Sequence, residues 1–114
     1  MAGSERLICS AAALEEKGTG VRFTVVRHGR EEPAFVVRYG GIARAYLNRC
    51  AHVPVELDWA EGEFFDFSKL YLICSTHGAM YLPDSGHCVA GPCKGARLHP
   101  LKVEERDGEV YLIE

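Results

Sequence analysis

Cys74-Ser75-Thr76-His77-Gly78-Ala79-Met80-Tyr81 is the stretch on which the fold turns, and it has an earlier counterpart in Asn48-Arg49-Cys50-Ala51-His52. One contains Cys-x-x-His, the other Cys-x-His, and residues 53–73 lie between them. Two thiolates and two imidazoles at such short spacings can converge on one metal centre. Thiolates are soft ligands that suit iron–sulfur clusters or zinc, and imidazole suits either metal. With five Cys and five His in the chain, spacing alone is a hypothesis that its surroundings must support.

Those surroundings are specific. His77 is followed by Gly78, and Tyr81 comes four residues after the histidine. A turn, Pro83-Asp84-Ser85-Gly86, follows, and then Gly91-Pro92-Cys93-Lys94-Gly95 with Leu98 shortly after. The run from Asn48 to Val103 resembles the Rieske [2Fe–2S] family, in particular its small ferredoxins. That family has Cys-x-His in one loop, Cys-x-x-His-Gly in a second, and a Gly-Pro loop over the cluster. The resemblance implies that Cys50 and Cys74 bind one iron and His52 and His77 the other, with Gly91-Pro92 as a lid. It also implies a single Rieske domain over 1–114, an all-β antiparallel sandwich or barrel base with a small cluster-binding subdomain inserted at about 48–95. Replacing two of four thiolates by neutral imidazoles removes negative charge and favours the reduced state, so such centres lie at roughly −150 to +300 mV, above plant-type ferredoxins. A structural Cys2His2 zinc site is the competing reading of the same four donors, although zinc sites usually pair Cys with Cys and His with His.

Departures from the family pattern bear on the potential. High-potential members carry an extra Cys in each ligand loop, joined in a disulfide; here those positions are Val55 and Thr76. The same members have Ser where this chain has Ala79, so a hydroxyl donor is missing. Hydrogen bonds to sulfur stabilise the more negative, reduced state, and their loss implies a low-potential centre. Tyr81 matches the family's tyrosine, which either donates to a ligand sulfur or packs.

The bulk properties agree with one small redox domain. A chain of 114 residues is one domain by length and buries roughly two-thirds of its unfolded surface. A net charge of −3 gives no pull toward nucleic acid or anionic membrane. No apolar run approaches the roughly 20 residues needed to span a bilayer. Met1–Arg6 lacks the basic-then-apolar pattern of a signal peptide, so a cytoplasmic location is expected. Five cysteines is an odd number and argues against a full disulfide framework. Cys9 reads as a small buried apolar residue, and Cys88 and Cys93 as free thiols in a reducing cytosol rather than a disulfide.

Along the chain, Leu7–Cys9 reads as a short strand, and residues 11–17 as a helical turn or loop ended by Gly18 and Gly20. Val21–Arg27 is rich in β-branched residues and reads as a strand, followed by a polar loop over 28–33. Ala34–Tyr39 and Ile42–Leu47 form a hairpin through Gly40-Gly41, which presents the first ligand loop rigidly. Pro54 stiffens that loop. Residues 58–68 carry Trp59, Phe64, Phe65 and Phe67 among acids and read either as a loop tucked under its own aromatics or as a docking face for a redox partner. Lys69–Ile73 delivers Cys74. Residues 79–82 and 87–90 form a small hairpin, and 101–105 and 109–113 another through Asp107-Gly108. His28, His87 and His99 have no metal-ligand spacing, and Lys94, Arg97, Lys102 and Arg106 read as a solvated basic stretch.

A centre with all four ligand positions filled from protein has no open site for substrate, and the sequence has no second iron site of two histidines and a carboxylate. The resemblance therefore implies a one-electron carrier rather than an enzyme, taking electrons from a flavin reductase and giving them to an oxygenase, or a small subunit of a larger reductase. A zinc-stabilised binding module and a redox sensor using Cys88 and Cys93 are the alternatives.

Overall fold

The computed structural model describes residues 5–50, 55–58, 60–74, 78–91 and 95–113. Within them run ten strands: β1 (Glu5–Ser10), β2 (Val21–Arg27), β3 (Arg30–Tyr39), β4 (Ile42–Leu47), β5 (Leu72–Ile73), β6 (Met80–Tyr81), β7 (Cys88–Ala90), β8 (Pro100–Leu101), β9 (Val103–Arg106) and β10 (Glu109–Ile113). They pair into three sheets of order β1-β10-β9, β2-β3-β4-β8 and β5-β6-β7. Every pairing of these strands is antiparallel. A 3-10 turn at Ala11–Ala13, capped by the Ser10 hydroxyl, is the helical piece expected after β1. The all-β expectation holds.

The four-stranded sheet is the middle layer. Ala34, Phe35, Val36 and Val37 of β3 are all fully buried, because both faces of the strand are covered. Ala34 and Val36 point with Ala43, Ala45 and Leu47 toward the sheet carrying Val110 and Leu112. Phe35 and Val37, one residue out of phase, point with Tyr46 toward the small sheet, meeting Phe64, Leu72 and Tyr81. The period-two alternation of a strand thus assigns one face of β3 to the base of the fold and the other to the site.

Besides shifts of one or two residues at strand ends, three segments differ from the sequence reading. The polar loop over 28–33 is a two-residue turn, His28-Gly29, both with positive φ, as a tight hairpin with right-handed strand twist requires. Glu31, Glu32 and Pro33 continue β3, opposite Val26, Val25 and Thr24. Polarity there reflects a ribbon whose Glu31 is exposed and whose Glu32 is largely covered by its ion pairs with Arg27 and Arg49. The strand expected over 69–73 shrinks to Leu72–Ile73, because residues 66–71 form a turn: the Asp66 amide donates to Tyr71 O at 2.8 Å, and Lys69 sits at φ +65°. The strand expected over 101–105 breaks at Lys102, where the chain leaves β4 for β10.

Candidate metal centre

Two loops built on one plan carry the predicted cysteines. The first leaves β4 through Asn48, which is 1% exposed. Its backbone N–H donates to Pro33 O at 2.8 Å, its side-chain oxygen accepts from the Leu57 amide at 2.8 Å, and its amide nitrogen donates to Asp58 Oδ1 at 2.9 Å. One side chain therefore staples the start of the loop to its end. Inside that staple the Cys50 N–H donates to Val55 O at 2.8 Å.

The second loop leaves β5 at Cys74. The Cys74 N–H donates to Ala79 O at 2.9 Å, and Gly78 N–H donates back to Cys74 O at 2.7 Å. Gly78 lies at φ +72°, a conformation that L side chains avoid and glycine adopts freely. Each loop is thus closed by the same bond, from the cysteine amide to the carbonyl five residues on.

Cys50 and Cys74 are 2% and 0% exposed and belong to one buried cluster with Ala79, Tyr81 and Leu98. The Tyr81 hydroxyl lies 3.1 Å from Cys50 Sγ. The tyrosine therefore reaches a predicted ligand sulfur as well as packing. Ala79, fully buried, brings no hydroxyl. Gly91 lies on the second loop: a Cβ there would sit 2.9 Å from Ala79 Cα and 3.3 Å from Gly78 O. The glycine of the expected lid is in place, while Pro92 lies outside the described residues.

Tyr46 ties the small sheet to the base. Its hydroxyl donates to Pro83 O at 2.8 Å, and burial pushes its pKa up to about 12. The turn it holds, Pro83–Gly86, is the one expected from sequence.

His52 and His77, the other two predicted ligands, lie outside the described residues, as do Trp59 and Cys93. Among the described residues no three His, Cys, Asp or Glu side chains gather as a metal site. The donor set that is described fits a soft-metal group. Two sulfurs share an apolar, water-shielded pocket, and a buried thiolate there needs a metal or hydrogen-bond donors to balance its charge.

Cys88 corrects the expectation of free thiols: it is disulfide-bonded. It is 7% exposed and faces Tyr81 across the β6–β7 ladder, and burial in such a shielded place outweighs the compartment argument. Cys9 is half-buried, and burial raises its thiol pKa. His28 occupies the β2–β3 turn, His87 pairs with Arg97, and the pKa of His99 is lowered by burial and by Arg27. Of the basic stretch, Arg106 forms ion pairs with Glu5 and Glu104 and Arg97 donates to Ser85 O, while Lys94 lies outside the described residues. In the 58–68 segment Phe64 and Phe65 are buried and Phe67 is fully exposed; Phe64 stacks on Phe35 at 4.0 Å between centroids.

The sequence reading missed the group beneath the first loop. Asp58 accepts from Asn48 and, through Oδ2, from the Gly62 amide at 3.0 Å, and Arg22 Nε lies 3.5 Å from the same carboxylate. An asparagine two residues before Cys50, with an aspartate just past the loop, was the available signal.

Comparison with known proteins agrees with this geometry. A family model described as the Rieske [2Fe-2S] domain matches residues 5–106. No curated protein matches the chain. Among solved structures, one chain of the complex of reduced oxygenase and oxidized ferredoxin in carbazole 1,9a-dioxygenase is 26% identical, with 96% of this chain and 92% of that chain covered and a TM-score of 0.72. The ferredoxin of carbazole 1,9a-dioxygenase from Nocardioides aromaticivorans IC177 is 21% identical over 96% of this chain and 97% of that one, with a TM-score of 0.73. The Sphingomonas yanoikuyae B1 ferredoxin is 20% identical over 97% and 99%, with a TM-score of 0.73.

Proposed function

This chain belongs to the Rieske [2Fe-2S] domain family, and on that footing we propose that it takes single electrons from a flavin reductase and passes them to an oxygenase. Membership implies a [2Fe–2S] cluster as the cofactor and electron transfer, rather than turnover of a substrate, as the activity. The observation that carries the partner is the likeness, over nearly the whole of both chains, to a structure whose description names a ferredoxin with its oxygenase.

When bound, the cluster supplies reversible one-electron chemistry at a potential set by its surroundings. In our reading Cys50 and Cys74 hold one iron and His52 and His77 the other, within a cluster-binding unit of about residues 48–95 in a single domain over 1–114. Support comes from the matched closure of the two loops and from the burial of both sulfurs in one cluster. The chain's residues then have separate tasks. Asn48 and the two cysteine amides fix the loops. The apolar cluster excludes water from the sulfurs. Tyr81 holds its hydroxyl proton toward Cys50 Sγ. Gly91 covers the second loop without displacing it. With a hydroxyl missing at position 79 and no cysteines at 55 and 76, the centre is of low potential. No helix among the described residues is long and apolar enough to cross a membrane, and a cytoplasmic location goes with a carrier between a reductase and an oxygenase.

The test is analysis of the purified protein. Iron and acid-labile sulfide in equal amounts, a brown colour and an EPR signal in the reduced state are expected. Substituting Cys50, His52, Cys74 or His77 should abolish all three. A colourless protein holding one zinc per chain would sink the proposal.

A further inference from the structure

The Asp58 carboxylate stands apart from the other acids of the chain. Its side chain is wholly buried, and each of its oxygens is engaged: Oδ1 accepts from Asn48 Nδ2 at 2.9 Å and Oδ2 from the Gly62 amide at 3.0 Å. Gly62 could not be replaced without strain, since it sits at φ +86° and a Cβ would meet Thr19 Cγ2 at 2.5 Å. The partner of Oδ1, Asn48, is two residues from Cys50 and also holds Leu57. Among the described residues one cation faces the group: Arg22 places Nε 3.5 Å from Oδ2 and is itself paired with Glu56 at 2.7 Å. The side chain of that arginine is 34% exposed, while that of the aspartate is not exposed at all.

Hydrogen bonds to neutral donors would satisfy an asparagine at position 58 only in part. An amide there presents one acceptor, whereas the site presents a donor to each oxygen. The site is therefore built for two acceptor oxygens, that is, for a carboxylate. A charge held in such a place acts on whatever the first loop carries. One residue separates Asn48 from Cys50, so the chain ties the carboxylate to within about 16 Å of the Cys50 sulfur. Water cannot screen it as it screens the exposed acids of the 58–68 segment.

We infer that Asp58 is a positioning and potential-setting residue of the centre: it anchors the first ligand loop through Asn48 and places a fixed negative charge, only partly offset by Arg22, beside the proposed cluster. This rests on the Rieske reading of the site. Electron uptake adds negative charge to the centre. A nearby carboxylate disfavours it, and a nearby guanidinium favours it.

The two members of the pair therefore predict shifts of opposite sign. In the cluster-loaded protein, Asp58→Asn should raise the midpoint potential so that the ratio of reduced to oxidised centre at fixed ambient potential rises roughly tenfold, about 59 mV for one electron. Arg22→Gln should lower the potential by a smaller amount, because its charge is closer to water, and raised salt should shrink that shift first. Voltammetry with iron content and EPR measured on each variant reads the outcome. A purely structural network would give no opposite-signed pair. Loaded variants with unchanged potentials, or both shifted the same way, overturn the inference while leaving the Rieske reading intact. A wild-type protein without iron and sulfide overturns both. Should Asp58→Asn fail to fold, Asp58→Ser, which removes the charge with a smaller side chain, takes its place: a rise in potential upholds the inference, and no rise rejects it.

Discussion

The hydroxyl oxygen of Tyr81 lies 3.1 Å from the sulfur of Cys50, the first arriving from β6 and the second from the loop after β4. Both side chains are almost wholly buried, so this contact is made in a low-dielectric setting. In the proposed centre, where the sulfur of Cys50 carries no proton, the hydroxyl is the donor and would stabilise the centre more as its negative charge grows. Tyr81→Phe keeps the ring and its packing but removes the proton. The potential should fall by an amount corresponding to about 0.5–1.5 kcal/mol, roughly 20–65 mV for a one-electron couple. Voltammetry of the variant checks this, and an unchanged midpoint would reduce Tyr81 to a packing role.

Gly91 offers a test of the loop over the site. Its φ of +91° disfavours any side chain, and an added Cβ would meet Ala79 Cα at 2.9 Å, well inside normal contact. Backbone cannot step aside as a flexible side chain can. Gly91→Ala should therefore cost about 1–3 kcal/mol, seen as a lower thermal midpoint and faster loss of iron on dilution with a chelator. Gly95→Ala makes the control: it shares the positive φ, but its Cβ would meet nothing among the described residues within 4 Å. Equal losses in the two variants would show that conformation alone, not the contact with the second ligand loop, sets the cost.

The legible parts of this chain were those where local chemistry and long-range structure agree. The β3–β4 hairpin was readable because Gly40-Gly41 sits between two apolar runs, and the two glycines do take positive φ. Of the four proposed ligands the described residues include Cys50 and Cys74, which share one buried cluster, while His52 and His77 lie outside them. The reading failed where polar residues serve in strands, as at the exposed Glu31 and the ion-paired Glu32, since such positions carry no apolar pattern to detect. It failed again at residues 69–71, where an aspartate side chain five residues away closes the turn: Asp66 Oδ1 accepts from the Tyr71 amide at 3.2 Å. The Asn48–Asp58–Arg22 group was out of reach for a third reason. Its members come from β2 and from both ends of a loop, and only the folded chain brings position 22 to position 58.

Acid should loosen the outer edge of the fold in a defined window. The Glu16 carboxylate accepts from the amides of Gly41 and Gly40 at 2.8 and 2.7 Å, and these bonds hold its pKa below the ordinary 4.5. Glu105 is held below the same value by its two-pronged hydrogen bond from Arg38, at 2.8 and 3.0 Å. A carboxyl whose folded pKa is depressed contributes stability that is fully present above its unfolded value and lost as pH falls through the folded one. The urea midpoint should therefore be level, as far as these groups go, above about pH 4.5 and decline below it. Glu16→Gln should flatten part of that decline while lowering the midpoint at pH 7. A variant with the wild-type slope between pH 4.5 and 3 would show that Glu16 contributes nothing to acid sensitivity.

The 58–68 segment poses a choice between an aromatic tuck and a docking face, and the structure divides its phenylalanines between the two. Phe64 is 1% exposed, stacks on Phe35 at an interplanar angle of 12°, and approaches Gly20 so closely that a Cβ there would lie 2.7 Å from its ring. It is a core residue reached through a loop, and it joins the middle sheet to the site's cluster. Phe67, three positions on, is fully exposed at the tip of the 66–71 turn. Truncating a buried ring leaves a cavity as well as losing transfer energy, so Phe64→Ala should cost about 3–5 kcal/mol. Phe67→Ala has no burial to lose and should stay within about 0.5 kcal/mol of the parent. Chemical denaturation of both variants, followed by far-UV circular dichroism, measures the pair. Similar small losses in both would mean that the segment lies on the surface as a whole, and the stacking of Phe64 on Phe35 would then count for little in holding the site to its base.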